Sequence, residues 1–341
     1  MAEEPTVTQS RDLQAERARI IEKYGPWTDH NILLADGLYT IDENTRTEKL
    51  RRIVQIVADL SGKPLSEIRV LDLACLEGQY AIEFARQGAK AVGIEGREAS
   101  VEKARFAKRA LNLDNVEFFQ DDIRNLSKEK YGTFDVVLCL GVLYHLDAPD
   151  VFRLVEQIYE VCAHFAVFDT HFSVVNQKKW MYKGQQFCGR SVVEHDPETS
   201  KDERLEDLWA SIDNLNAVWP TFNSLLNVLN FVGFTSVYQC FVPVEMAKPG
   251  DRVTLVGMKK ERHPVLSTPK LNEDPWPLLP EGFEPELSMQ QQGLYDLSHR
   301  INFLFPRKLR RSVKNFLRAT GLLKRTPESW ERPWKARHAK E

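Results

Sequence analysis

The sequence predicts an α/β fold built on a doubly wound parallel sheet, and three observations carry that prediction. Short apolar runs alternate with helix-patterned segments from residue 69 to residue 170, as parallel strands with crossover helices require. One run, Arg69 to Leu73, leads through a tight turn at Asp72 to Gly78 into a helix, and the first N–H groups of such a helix are left to face a bound group. The next run, Ala91–Ile94, ends in Glu95, a carboxylate able to accept two hydrogen bonds from a ribose diol. The pyrophosphate fingerprint G-x-G-x-x-G is absent, which disfavours a dinucleotide and points to a nucleoside.

Taken in order, residues 10–25 read as a charged amphipathic helix, Arg11 to Tyr24, stopped by Gly25-Pro26. The aromatic and polar stretch Trp27–Ile32, with Gly37–Thr40, follows as a segment closing over a ligand, and His30 there is read either as a substrate contact or as a helix-cap residue. Residues 44–60 form a helix whose apolar face comprises Leu50, Ile53, Val54, Ile56, Val57 and Leu60. Val116–Phe119 is a third strand closing on Asp121-Asp122-Ile123, an acid and an apolar residue suited to bracketing an adenine. Phe134–Leu140 is a fourth strand, and Phe165–Thr170 a fifth that delivers His171 to the carboxyl edge, where such sheets bind ligands. Residues 172–220 are too long for a plain connection and read as a substrate lid. A helix at 222–232 stops at Gly233, and strands at 236–242 and 252–259 flank the turn Lys248–Asp251.

Four regions result: an N-terminal helical and lid segment, 1–45; a catalytic domain, 46–262, containing the insertion; a linker, 263–298, with Pro264, Pro269, Pro275, Pro277, Pro280 and Pro285; and a basic tail, 299–341. The tail holds 13 Lys/Arg against 3 Glu, whereas residues 1–298 hold 33 Lys/Arg against 46 Asp/Glu. An acidic body argues against capture of a polyanion, so nucleic acid is not the expected partner, while the tail offers a peripheral contact with an anionic membrane surface or a helix docked on the body. Five scattered cysteines without a Cys-x-x-Cys pair argue against a disulfide framework and a zinc site. The N-terminus lacks a signal-peptide pattern, and a cytoplasmic protein is expected.

Val70–Tyr80, Val92–Gly96, Gln120–Ile123 and Phe134–Leu146 resemble, in order and spacing, the successive motifs of the class I S-adenosylmethionine-dependent methyltransferases, over roughly residues 50–260. The resemblance implies a Rossmann-like sheet of order 3-2-1-4-5-7-6 and S-adenosyl-L-methionine as cofactor. It places the methionine part at Asp72, Ala74, Cys75, Leu76, Gly78 and Tyr80, the ribose at Glu95 and Gly96, the adenine at Asp122 and Ile123, and a further contact at Leu140. The family's usual Gly-x-Gly-x-Gly stands here as Ala74-Cys75-Leu76-Glu77-Gly78, keeping only the last glycine. Gly141-Val142-Leu143-Tyr144-His145 is similar to the wobble-uridine carboxymethyltransferase branch and its small-molecule relatives.

Methyl transfer from a sulfonium is an in-line displacement, and a base is needed only when the acceptor carries a proton at neutral pH. His171 is the first candidate base, His145 the second, and Glu194 with His195 a third, as a lid pair. No metal is expected, although His171, Glu194 and His195 together have the donor types. Acceptor contacts are expected from Trp27, His30, Tyr144, Trp180, Tyr182, Arg190, Asp213, Asn214 and Trp219, whereas Trp209 reads as packing. The expected activity is O- or N-methylation of a small, aromatic or natural-product-like acceptor. The alternatives are a glycan-modifying enzyme at a membrane surface and a tRNA-modifying enzyme.

Overall fold

A central sheet of seven strands carries both the cofactor-side turn and the histidines. The computed structural model describes residues 7–42, 48–245, 248–261 and 278–279. The elements below belong to one unit, Met1–Glu245 with Asp251–Glu284; a second unit, Met246–Gly250 with Pro285–Glu341, lies outside the described residues apart from 248–250. The basic tail and all but two residues of the proline-rich linker are therefore outside them as well.

In chain order the elements are α1 (Val7–Tyr24), the short hairpin β1 (Leu33–Ala35) and β2 (Leu38–Tyr39), α2 (Glu48–Ser61), β3 (Arg69–Leu73), α3 (Gln79–Arg86), β4 (Lys90–Glu95), α4 (Glu98–Ala110), β5 (Val116–Gln120), α5 (Lys128–Tyr131), β6 (Phe134–Leu140), α6 (Asp150–Val161) and β7 (Cys162–His171). Then follow β8 (Lys178–Tyr182), β9 (Gln185–Val193), α7 (Lys201–Glu206), β10 (Asn216–Pro220), α8 (Phe222–Val232), β11 (Ser236–Gln239) and β12 (Arg252–Met258).

The large sheet runs β5-β4-β3-β6-β7-β12-β11, which counted within the sheet is the expected 3-2-1-4-5-7-6. The first five strands are parallel, and β12 returns antiparallel between β7 and β11. The near-continuous apolar runs of β3, β6 and β7 are buried, because helices cover both faces of a parallel sheet. α2 buries Ile53, Ile56 and Val57 at the helical spacing, whereas Leu60 at its far end is 40% exposed.

The insertion at 172–220, expected as a lid, has secondary structure of its own. It forms a three-stranded antiparallel sheet, β10-β9-β8, whose hairpin turns through Lys183 and Gly184, both at positive φ. The pattern of β8, Lys-Lys-Trp-Met-Tyr, hides this strand: its residues are largely exposed and lack the alternation by which a half-buried strand is read. Phe187 stacks on Phe152 of α6 at 4.9 Å, and the Tyr182 hydroxyl donates to Glu156 at 2.6 Å. These contacts seat the small sheet on α6.

Candidate active site

β3 and β4 end side by side, Leu73 opposite Ile94, and the turn beyond β3 takes a backbone shape that its sequence conceals. Ala74, Leu76 and Gly78 have φ of 51°, 48° and 81°, so all three positions where the family places glycine are left-handed. For Ala and Leu that conformation costs roughly 1–2 kcal/mol each. It persists because the turn is tied down: Cys75 N–H donates to the Ile94 carbonyl at 3.0 Å and Leu76 N–H to Glu95 Oε2 at 3.0 Å. Glycine remains where a side chain has no room, since a Cβ on Gly78 would lie 2.8 Å from Ala104 and Phe118, and one on Gly93 would lie 2.7 Å from Cys75 Sγ. Cys75 is a buried packing residue there, its thiol pushed well up by burial.

Two carboxylates line this turn. Glu95 is buried, with Oε1 accepting from Arg97 N–H at 2.9 Å, and burial raises its pKa. Asp72 is also buried, its Oδ2 has no hydrogen-bond partner, and burial pushes its carboxyl up to about 7. Tyr80 and Ile123 are buried, while Gly96 and Leu140 are partly open. Asp122 caps the turn at Ile123 and is gripped by its neighbour Arg124 through backbone and guanidinium N–H groups.

The N-terminal segment is fastened to the same turn. Glu77, 0% exposed, accepts from the backbone N–H groups of Thr28 at 2.9 Å and His30 at 3.3 Å and faces Lys103 Nζ at 3.3 Å. His30 is buried and accepts from the first N–H of α3, Gln79, through Nδ1 at 3.2 Å; burial lowers its pKa, which keeps it neutral. It is thus placed as a helix cap. Trp27 packs on Phe106 at 5.8 Å inside the core. Both belong to the wall behind the cofactor turn.

At the carboxyl ends of β6 and β7, the following residues and the insertion bring aromatic rings together. The Tyr144 ring lies 4.3 Å from that of His145 and 4.8 Å from that of His171, and His171 stacks on Trp219 at 4.7 Å and 19°. Arg190, opposite Trp219 in the β9–β10 register, places its guanidinium over that ring at 4.4 Å. Each histidine has a carboxylate at Nδ1: Asp251 is 3.2 Å from His171 and Glu194 is 2.9 Å from His145. A carboxylate accepts, so each Nδ1 donates to its partner and each Nε2 is left to face away from it. Glu194 and His195 diverge, because His195 is buried with Nε2 donating to the Ser211 carbonyl at 2.7 Å.

Several expected contacts lie elsewhere. Trp180 pairs with Phe187 across the hairpin, under Lys178, Tyr182 is held by Glu156, and Asp213 is ion-paired with Arg124. Asn214 donates to the His145 carbonyl at 2.9 Å. The sequence reading missed Asp251, Arg252, Asp169 and Lys49. Asp169, fully buried, accepts from Arg252 Nε at 2.6 Å and Thr254 at 2.7 Å and meets Lys49 at 3.0 Å. The signal was an acid inside the apolar run Phe165–Thr170, since a buried charge requires partners.

The sheet order and the turn beyond its central strand define a class I methyltransferase fold. Residues 70–164 match the family model described as a methyltransferase domain. The ubiquinone biosynthesis O-methyltransferase of Acinetobacter baumannii (strain AYE) is 30% identical over 135 residues, 39% of this chain and 53% of that one. That of Neisseria meningitidis serogroup C (strain 053442) is 33% identical over 128 residues, 37% of this chain and 49% of that one. The chain thus spans about half the length of the curated relatives it matches. The crystal structure of the N-terminal domain of EvdMO1 in the presence of SAH and D-fucose is similar in fold, with a TM-score of 0.57 at 22% identity, covering 73% of this chain and 97% of that one.

Proposed function

We propose that this chain is an S-adenosylmethionine-dependent methyltransferase that methylates an oxygen or nitrogen of a small-molecule acceptor held among Tyr144, His145, His171, Arg190 and Trp219. The observation that carries the reading is the pair of histidine–carboxylate couples, His171–Asp251 and His145–Glu194, flanking Tyr144 at the carboxyl edge of the sheet.

The cofactor turn fits the group that the family implies. The left-handed turn at Ala74–Gly78, the partnerless buried Asp72 Oδ2 and the Glu95 carboxylate suit a ligand with a cationic amine and a ribose diol, and Asp72, Leu76, Gly78 and Glu95 would hold it. The chemistry supplied there would be an electrophilic methyl group on a sulfonium, transferred in line to an acceptor lone pair with the neutral thioether as the leaving group.

The protein's own part is orientation, proton acceptance and exclusion of water. His171 Nε2 takes a hydroxyl or ammonium proton, and Asp251 stabilises the imidazolium that forms. The His145 couple offers a second acceptor for a polyhydroxylated substrate. Tyr144 and Trp219 give a flat acceptor surfaces to pack on, which favours an aromatic or otherwise unsaturated body. The acidic charge of residues 1–298 favours a compact acceptor over a nucleic acid.

Isothermal titration with S-adenosylmethionine and S-adenosylhomocysteine, with Glu95→Ala alongside, tests the cofactor, and a screen of hydroxylated aromatic acceptors tests the rest. Binding weakened by Glu95→Ala and turnover abolished by His171→Ala are the expected results; no binding by the wild type would overturn the reading.

A further inference from the structure

The insertion reaches the cofactor side of the sheet as well as the acceptor side, through the stretch between α7 and β10. Arg97, two residues beyond Glu95, directs its guanidinium into this stretch and donates to the carbonyls of Leu205 at 3.0 Å, Asp207 at 2.9 Å and Ala210 at 3.0 Å. Farther along, Arg124 joins Asp213 of the stretch to Asp122 beside the adenine position. Between the two anchors the Ile212 side chain rests on Gly96, where an added Cβ would fall 2.3 Å from Ile212 Cδ1. Gly96 follows the ribose carboxylate, and Ile212 is only half-buried, so it keeps apolar surface at the mouth of the nucleoside site.

The same stretch holds the acceptor side. Ser211 N–H donates to Glu194 Oε2 at 2.8 Å, the oxygen that lies 2.9 Å from His145 Nδ1. Two adjacent residues therefore serve two sites: Ser211 fixes the carboxylate behind His145, and Ile212 faces the carboxyl end of β4.

We propose that residues 205–214 form the roof of the nucleoside half of the cofactor site, with Ile212 as the side chain that touches the cofactor and Arg97 as the positioning residue that seats the roof. Because Ser211 moves with Ile212, seating the roof also sets the Glu194–His145 couple, and cofactor binding completes the acceptor site. A segment with no strand partners, held by a few anchors, is of low local stability, and a ligand that covers it shifts its population. This inference rests on the methyltransferase reading.

Hydrogen exchange of the full chain with and without S-adenosylhomocysteine, together with titrations of that ligand into wild type, Glu95→Ala, Ile212→Ala and Arg97→Ala, tests it. The ligand is expected to protect the amides of 207–214 along with those of 75–78. Ile212→Ala should weaken binding about fivefold and Arg97→Ala about tenfold, the latter also removing protection at 207–214. Protection confined to 75–78, or wild-type affinity in Ile212→Ala, overturns the roof while leaving the methyltransferase reading intact. No binding by wild type overturns both. The exchange measurement on wild type decides even where Arg97→Ala fails to fold.

Discussion

Glu77 and Lys103 face each other at 3.3 Å with side chains 0% and 3% exposed, and the carboxylate is also the anchor for the backbone of Thr28 and His30. One ion pair thus ties the N-terminal segment, the cofactor turn and α4 together. Lys103→Met leaves the Glu77 charge buried without its cation, which costs about 3–5 kcal/mol. Urea unfolding should show that loss; a change below about 1 kcal/mol, the range of an exposed pair, would mean the pair is solvated.

Leu76→Gly tests the left-handed turn. Relief of the φ of 48° is worth roughly 1–2 kcal/mol, against roughly 0.4–1 kcal/mol of added unfolded-state entropy. The net gain, between about 0 and 1.6 kcal/mol, should appear as a higher unfolding midpoint. A lower midpoint would show that the Leu76 side chain contributes more packing than its backbone costs.

Asp72 gives a pH signature. Its carboxyl is raised by burial to about 7, above the ordinary value of about 3.9 that holds in the unfolded chain. Between those values the folded state binds more protons, so this group's contribution to stability is complete below about pH 4 and is lost as pH rises through about 7. Asp72→Asn should flatten the stability–pH curve of the ligand-free protein in that window relative to wild type. Parallel curves would place the Asp72 carboxyl in a solvated environment.

Catalysis separates the two histidines. His171→Ala should lower kcat by about 10²–10⁴ with S-adenosylhomocysteine affinity unchanged. Asp251→Asn, which keeps the imidazole but weakens its orientation, should fall between that variant and wild type. If His145→Ala carries the larger loss instead, the proton is taken at the Glu194 couple.

The sheet was legible because its strands are apolar, short and evenly separated by helix-patterned segments, and Glu95 stands out because it ends such a run. The turn was legible only through Gly78, since Ala74 and Leu76 reveal their backbone shape through hydrogen bonds to Ile94 and Glu95 rather than through residue type. His30 was open to two readings because a histidine beside an aromatic looks the same in a wall and in a pocket; the partner that decides, the Gln79 N–H, is 49 residues away. Asp251 was unreadable for a similar reason, since it sits 80 residues from His171 and meets it only after β12 has returned alongside β7.

The insertion's two ends meet. Ser173 N–H donates to the Pro220 carbonyl at 2.7 Å, and Ser173 bridges Thr221, so the chain leaves the large sheet and rejoins it at one point. A module hinged at a single doorway can be exchanged for another of different length with little entropic penalty, while β7 and α8 keep their places. On the proposed reading, such an exchange would change the acceptor and leave the cofactor turn untouched except along the proposed roof, where a transplanted module would need its own counterparts of Ile212 and of the carbonyls that Arg97 holds.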